Sequence, residues 1–185
     1  QRNRFIHNRV VENAICGVWG GYSNDTLIAD NLFEGNGGMA YGLECGGVNI
    51  EHGSGNRIQG NRFINNRVAI HLWWDDDAGL LKLPGVQAIH RGVVGNIIAE
   101  NRFEINGANP FTSARQKGPL VVLRLRDTGD GNVRDTVYVG NLLVLSDPRA
   151  VEFEVKAGLE PATEGRVEAV YHDPELKPVG VSNPV

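Results

Sequence analysis

Six side chains concentrate the chemistry of this 185-residue chain: Glu51, His71, Trp73, Asp75, Arg124 and Arg126. A carboxylate pair such as Glu51 and Asp75 supplies the acid and base of glycosidic cleavage. An arginine or histidine can take or give the proton of a β-elimination. Arg124 and Arg126 can each grip a sugar carboxylate at two points, and the apolar body of Trp73 can stack on a pyranose ring. Together these groups suit an acidic polysaccharide. Glu51, His71, Asp75, Arg124 and Arg126 are therefore the candidate catalytic residues, and Trp73, His90, Arg91, Arg115 and Lys117 the candidate substrate-binding ones.

Such residues act together only if the chain brings them onto one face. An asparagine-anchored repeat, N-x-[IV]-x-x-N-x-[FL]-x-x-N, indicates how. It runs from Thr26 to Asn36, Asn56 to Asn66 and Asn96 to Asn106, with a degenerate copy from Thr136 to Ser146. A truncated copy, Asn3-Arg-Phe5-Ile-His-Asn8, opens the chain, placing the anchors at 3, 31, 61, 101 and 141. Within each copy apolar and polar residues alternate over a few positions and then meet Gly or Asn. That is the pattern of short strands joined by tight turns. Asn tolerates the left-handed backbone region, and its amide can bond neighbouring backbone or stack into ladders. Helical repeats need amphipathic helices at fixed length, which this chain lacks.

The repeat resembles that of right-handed parallel β-helix (pectin-lyase-like) proteins, with residues 56–75 as the best-matched coil. The resemblance implies an all-β, right-handed, single-stranded parallel β-helix, a solenoid of about five coils. The coils are expected over residues 1–157, followed by a strand and covering tail over 158–185. It specifies fold rather than activity, since enzymes and inert scaffolds share it. Polygalacturonase-type members resemble one another in an Asn-Thr-Asp, Asp-Asp, Gly-His-Gly, Arg-Ile-Lys series. Here Asp76-Asp77 is preceded by Glu51-His52-Gly53 and no Arg-Ile-Lys occurs, only Arg124-Leu-Arg126. That activity is not assigned, and lyase, hydrolase and uronan epimerase stay open. A first residue inside a repeat predicts the C-terminal part of a longer protein, because a coil edge needs a cap.

Aligning the strand after each motif stacks Val18, Val48, Ile70, Val121 and Val151 inward, with Ile50, Leu72, Leu123 and Phe153 two places on. Outward columns then read Trp19, Asn49, His71, Val122, Glu152 and Gly21, Glu51, Trp73, Arg124, Glu154, with Asp75 beside Arg126. An exposed Trp73 would sit among charges. Insertions at about 76–95 and 107–118 are expected to rise as groove walls carrying His90, Arg91, Arg115 and Lys117. Folded back instead, Leu80, Leu81, Leu83 and Phe111 would cover Trp73. Solvent faces of sheets carry charge pairs in any case, which leaves a non-catalytic scaffold or adhesion module as the alternative.

The net charge of −4 speaks against a nucleic-acid surface, where a basic stripe is expected. No apolar run reaches membrane-spanning length. A polysaccharide partner, a monomer and a secreted, periplasmic or cell-surface location are the expectations. No cofactor is expected. Asp75-Asp76-Asp77 offers oxygens to Ca²⁺ but lacks a recognised calcium-loop spacing, so no metal is assigned. Cys16 and Cys45, in neighbouring coils, are read as small buried thiols, with a disulfide as the alternative.

Overall fold

The computed structural model describes residues 2–39, 43–75, 78–107, 111, 118–127 and 133–156. The expected tail over 158–185, together with Asp76, Asp77, Arg115 and Lys117, lies outside them. Each coil gives one short strand to each of three parallel sheets. The first sheet stacks β1 (Arg4–Ile6), β4 (Leu27–Ala29), β7 (Arg57–Gln59), β11 (Ile97–Ala99) and β15 (Val137–Val139). The second stacks β2 (Arg9–Val11), β5 (Leu32–Glu34), β8 (Arg62–Ile64), β12 (Arg102–Ile105) and β16 (Leu142–Leu145). The third, which carries the candidate site, stacks β3 (Cys16–Trp19), β6 (Gly46–Glu51), β9 (Val68–Trp74), β13 (Val121–Asp127) and β17 (Val151–Lys156). Two short helices, α1 (Ala78–Leu81) and α2 (Pro84–Gln87), lie between β9 and the short pair β10 (Val93–Val94) and β14 (Val133–Arg134). The architecture is a right-handed parallel β-helix.

Asparagine amides hold the corners. At the corner between the first and second sheets, the Oδ1 of each ladder residue accepts the backbone N–H and side-chain amide of its counterpart one coil back. This links Asn8 to Asn31, Asn31 to Asn61, Asn61 to Asn101 and Asn101 to Asn141 at 2.8–3.0 Å. A second ladder runs from Asn13 through Asn36 to Asn66. Thr26, Asn56 and Asn96 form a third corner column. A buried amide with its bonds made stabilises the turn, and one left unmade is expensive.

Two expectations about these turns are corrected. First, the ladder asparagines are not the left-handed residues. The residue before each one is: His7, Asp30, Gly60, Glu100 and Gly140, with φ between 55° and 65°. Asn is needed for its amide, while its predecessor turns the chain. Second, Asn8, not Asn3, begins the column. β1 pairs with β4 through Phe5 opposite Ile28, so residues 3–13 make a full copy and the first step is 23 residues. Phe5 suits either inward position, which is why the truncated copy looked like the second half of the motif.

The core is built from stacked columns. Val10, Phe33, Phe63, Phe103 and Leu143 are in register through the second sheet. The Phe33, Phe63 and Phe103 rings stack at 4.9 and 5.1 Å. Phe5, Ile28, Ile58, Ile98 and Tyr138 do the same through the first sheet. In the third sheet Val18, Val48 and Ile70 align as expected, but Ile70 faces Leu123 rather than Val121. A slip of two residues keeps every side chain on its face, so alternation alone cannot detect it. Val121 and Val151 join Val68 and Cys45 in a separate apolar cluster instead of the main core.

Candidate functional site

The slip of two rearranges the outer face. The columns become Asn49, His71, Arg124, Glu154 and Glu51, Trp73, Arg126. Arg126 thus lies in the column of Glu51 and Trp73, not beside Asp75.

The chain just before β6 folds over the upper part of this face. The Leu43 carbonyl accepts His71 Nδ1–H at 2.9 Å and the Asn49 side-chain amide at 3.2 Å. Asn49 Oδ1 in turn accepts the Trp73 indole at 3.0 Å. His71 is wholly buried and Trp73 only 2% exposed, so the expectation of an exposed Trp73 is corrected. Both are outward-facing residues under cover, with His71 Nδ1 and the Trp73 indole hydrogen-bonded there. Gly46 makes that entry possible. Its φ of +101° suits glycine, and a Cβ there would fall 1.9 Å from the Val68 carbonyl oxygen.

Arg124 is likewise engaged. Its guanidinium donates to Glu154 at 2.8–2.9 Å and reaches Cys45 Sγ at 3.5 Å. Cys45 and Cys16 are both free thiols. Burial pushes both thiols above the ordinary cysteine range, which suits inert packing.

At the far end of β6 and β9 a different set converges. His52 is fully buried, and its Nε2–H donates to Asp75 Oδ1 at 2.7 Å. The Glu51 carboxylate lies 4.0 Å from the same nitrogen. One atom from each of Glu51, His52 and Asp75 falls within 4.8 Å of the others. His52 Nδ1 is buried without a hydrogen-bond partner, and the Asp75 backbone N–H also approaches Nε2, at 3.3 Å. His52 has a left-handed φ of 54°, and Tyr22 packs edge-on at 4.7 Å.

Glu51 is held above the usual carboxylate range, chiefly by burial and further by the nearby Asp75 charge, with His52 opposing. Its carboxyl accepts a hydrogen bond from the Trp19 indole. Trp19 itself is 63% exposed. The exposed aromatic of this face is therefore Trp19, one coil before Glu51.

The two oxygens and one nitrogen are donors a divalent cation accepts. The 2.7 Å contact, however, is a hydrogen bond, shorter than the roughly 3 Å separation of two ligands on one ion with bonds near 2.1 Å. No metal is assigned.

Of the predicted catalytic residues, then, the structure brings Glu51 and Asp75 together and places Arg126 two strands along. His71 and Arg124 sit apart, around Cys45. His52 and Trp19 were not among the predicted site residues. The available sign was their adjacency: His52 follows Glu51, and Trp19 lies one coil earlier, opposite Asn49, two residues before Glu51.

The first insertion does not rise as a wall. Leu81 packs on the core, the Asn24 side-chain amide donates to the Ile89 carbonyl at 3.0 Å, and His90 lies against Trp74 at 4.7 Å. Arg91 faces Asp25 at 3.4 Å on the surface. Of the second insertion, Phe111 packs on the core. Leu80 and Leu83 stay exposed.

Residues 1–81 match the family model described as right handed beta helix region. That match agrees with the coil geometry, and together they support a right-handed parallel β-helix fold. No curated protein sequence matches it. No helix among the described residues is long and apolar enough to cross a membrane.

Proposed function

We propose that this β-helix domain binds an acidic polysaccharide across the outer face of its third sheet and cleaves it at Glu51. The observation that carries this reading is the largely exposed Trp19, hydrogen-bonded to a half-buried carboxyl that sits beside a His52–Asp75 pair. Trp19 offers a stacking surface for a sugar ring. Glu51, kept protonated to higher pH than an ordinary glutamate, gives its proton to the glycosidic oxygen. Asp75, fixed by His52, faces the anomeric carbon as a carboxylate. The close approach of the two carboxyl groups suits a nucleophilic role for Asp75 more than the roughly 6.5–9.5 Å gap that leaves room for a water. Arg126, two strands along Glu51's column, is the guanidinium for a sugar carboxylate, since Arg124 is held by Glu154. A polysaccharide of this kind implies a secreted or cell-envelope setting.

A second reading, a non-catalytic scaffold, draws support from the burial of Trp73 and His71 and the engagement of Arg124. Incubation with neutral and uronic-acid polysaccharides separates the two. New reducing ends without ultraviolet-absorbing product, lost in Glu51→Gln, support hydrolysis at this site. Unsaturated product would instead indicate a lyase. Silence across the panel from a folded protein supports the scaffold.

A further inference from the structure

The segment from α1 to Gly92 is held down by few contacts. Its two helices bury no residue fully. Leu81 touches the core at one end, and Ile89 and His90 touch it at the other. The surface pair Arg91–Asp25 adds little. His90 is therefore the principal side chain by which the far end docks. Its ring lies 4.7 Å from Trp74 and 6.5 Å from Tyr22. Trp74 also carries His52 at 4.2 Å, so two imidazoles share one indole. His90 Nδ1 is buried and has no hydrogen-bond partner.

We propose that residues 78–92 form a proton-released strap, docked over Trp74 while His90 is neutral and lifted when its imidazole becomes charged. A second ring proton would place a donor with no acceptor at buried Nδ1. The titratable and charged groups around it do not compensate. His52 adds a repelling partner, its nearby carboxylates Asp75 and Glu51 already face His52, and Asp25 is taken by Arg91. Burial first and His52 second lower the proton affinity of His90. The sign follows: an undocked imidazole binds a proton below about pH 6.5 while the docked one resists it. Docking is therefore at full strength above that pH and weakens as pH falls below it. The strap stands apart from the polysaccharide reading, since it concerns the segment's own equilibrium.

Hydrogen exchange at pH 7.5 and 5.0, corrected for intrinsic rates, tests it on the intact chain. The amides of Ala88, Ile89 and His90, which donate to Pro84 and Val86 carbonyls in the docked strap, should lose protection at least fivefold at pH 5.0. Those of β9 and β13 should not change. His90→Gln and His90→Phe, which cannot be charged, should remove the pH dependence. Equal protection at both pH values in the parent protein, or the same loss in His90→Gln, would overturn the proposal. Should His90→Phe misfold, His90→Gln alone decides.

Discussion

His52 Nε2 lies 2.7 Å from Asp75 Oδ1, joining the ends of two neighbouring strands through a side chain with no solvent exposure. The bond fixes where the Asp75 carboxylate sits and, with it, the charge that Glu51 feels.

That electrostatic link is testable through pH. Asp75 helps to raise the Glu51 carboxyl. If protonated Glu51 is the acid, activity falls as pH rises through its raised value. Asp75→Gln or Asp75→Asn removes both the charge and the facing carboxylate. Residual turnover in Asp75→Asn should fall by roughly 10²-fold or more, and its alkaline limb should move to lower pH. A pH–rate profile whose alkaline limb stays in place contradicts the link.

The asparagine ladder should be the most sensitive part of the coil. Asn61 accepts from Asn31 and donates to the Ile28 carbonyl and to Asn101, all in buried positions. Asn61→Ala should cost about 3 kcal/mol, since it orphans several groups worth roughly 1–3 kcal/mol each and partial relaxation recovers some. Exposed Asn106→Ala should stay within about 0.5 kcal/mol. Denaturant titration of both variants gives the comparison.

Much of this was written in the sequence. The N-x-[IV]-x-x-N-x-[FL]-x-x-N copies named the ladder at 31, 61, 101 and 141, because a turn amide that must bond its neighbours tolerates few residue types. Register in the third sheet was not legible. Val121 and Leu123 are equally good partners for Ile70 when only the face of the strand is fixed by alternation. The cover over His71 and Trp73 depends on a carbonyl, that of Leu43, which no side-chain pattern reveals. His52 is not legible in the sequence because a buried imidazole gives no signal until Asp75, 23 residues on, is seen opposite it.

Arg124 illustrates the consequence. As a surface residue it would be replaceable within about 1 kcal/mol. Paired with Glu154 under partial cover, Arg124→Ala should cost about 1–3 kcal/mol. A double-mutant cycle with Glu154→Gln should show coupling between the two. Additive effects would mean that the pair contributes nothing.

Glu104 anchors the second sheet's outer side, where Arg62 and Arg102 both donate to its Oε1 at 2.6 Å. Hydrogen bonding from Arg62 leads the causes that lower its carboxyl to about 2. A depressed value means stability that is present above the ordinary glutamate range and lost as pH falls toward about 2. Glu104→Gln should flatten the acid limb of the stability curve between pH 5 and 2, measured by thermal melts.

The most direct test of the central claim is calorimetric titration of Glu51→Gln with uronic-acid and neutral oligosaccharides, beside the same variant carrying Trp19→Ala. Glu51→Gln is chosen because it removes the proposed acid while leaving the face intact. The account predicts binding of the uronic-acid chain by Glu51→Gln and at least tenfold weaker binding once Trp19 is removed. Binding that ignores Trp19→Ala, or no binding by a folded protein to any oligosaccharide, would contradict it.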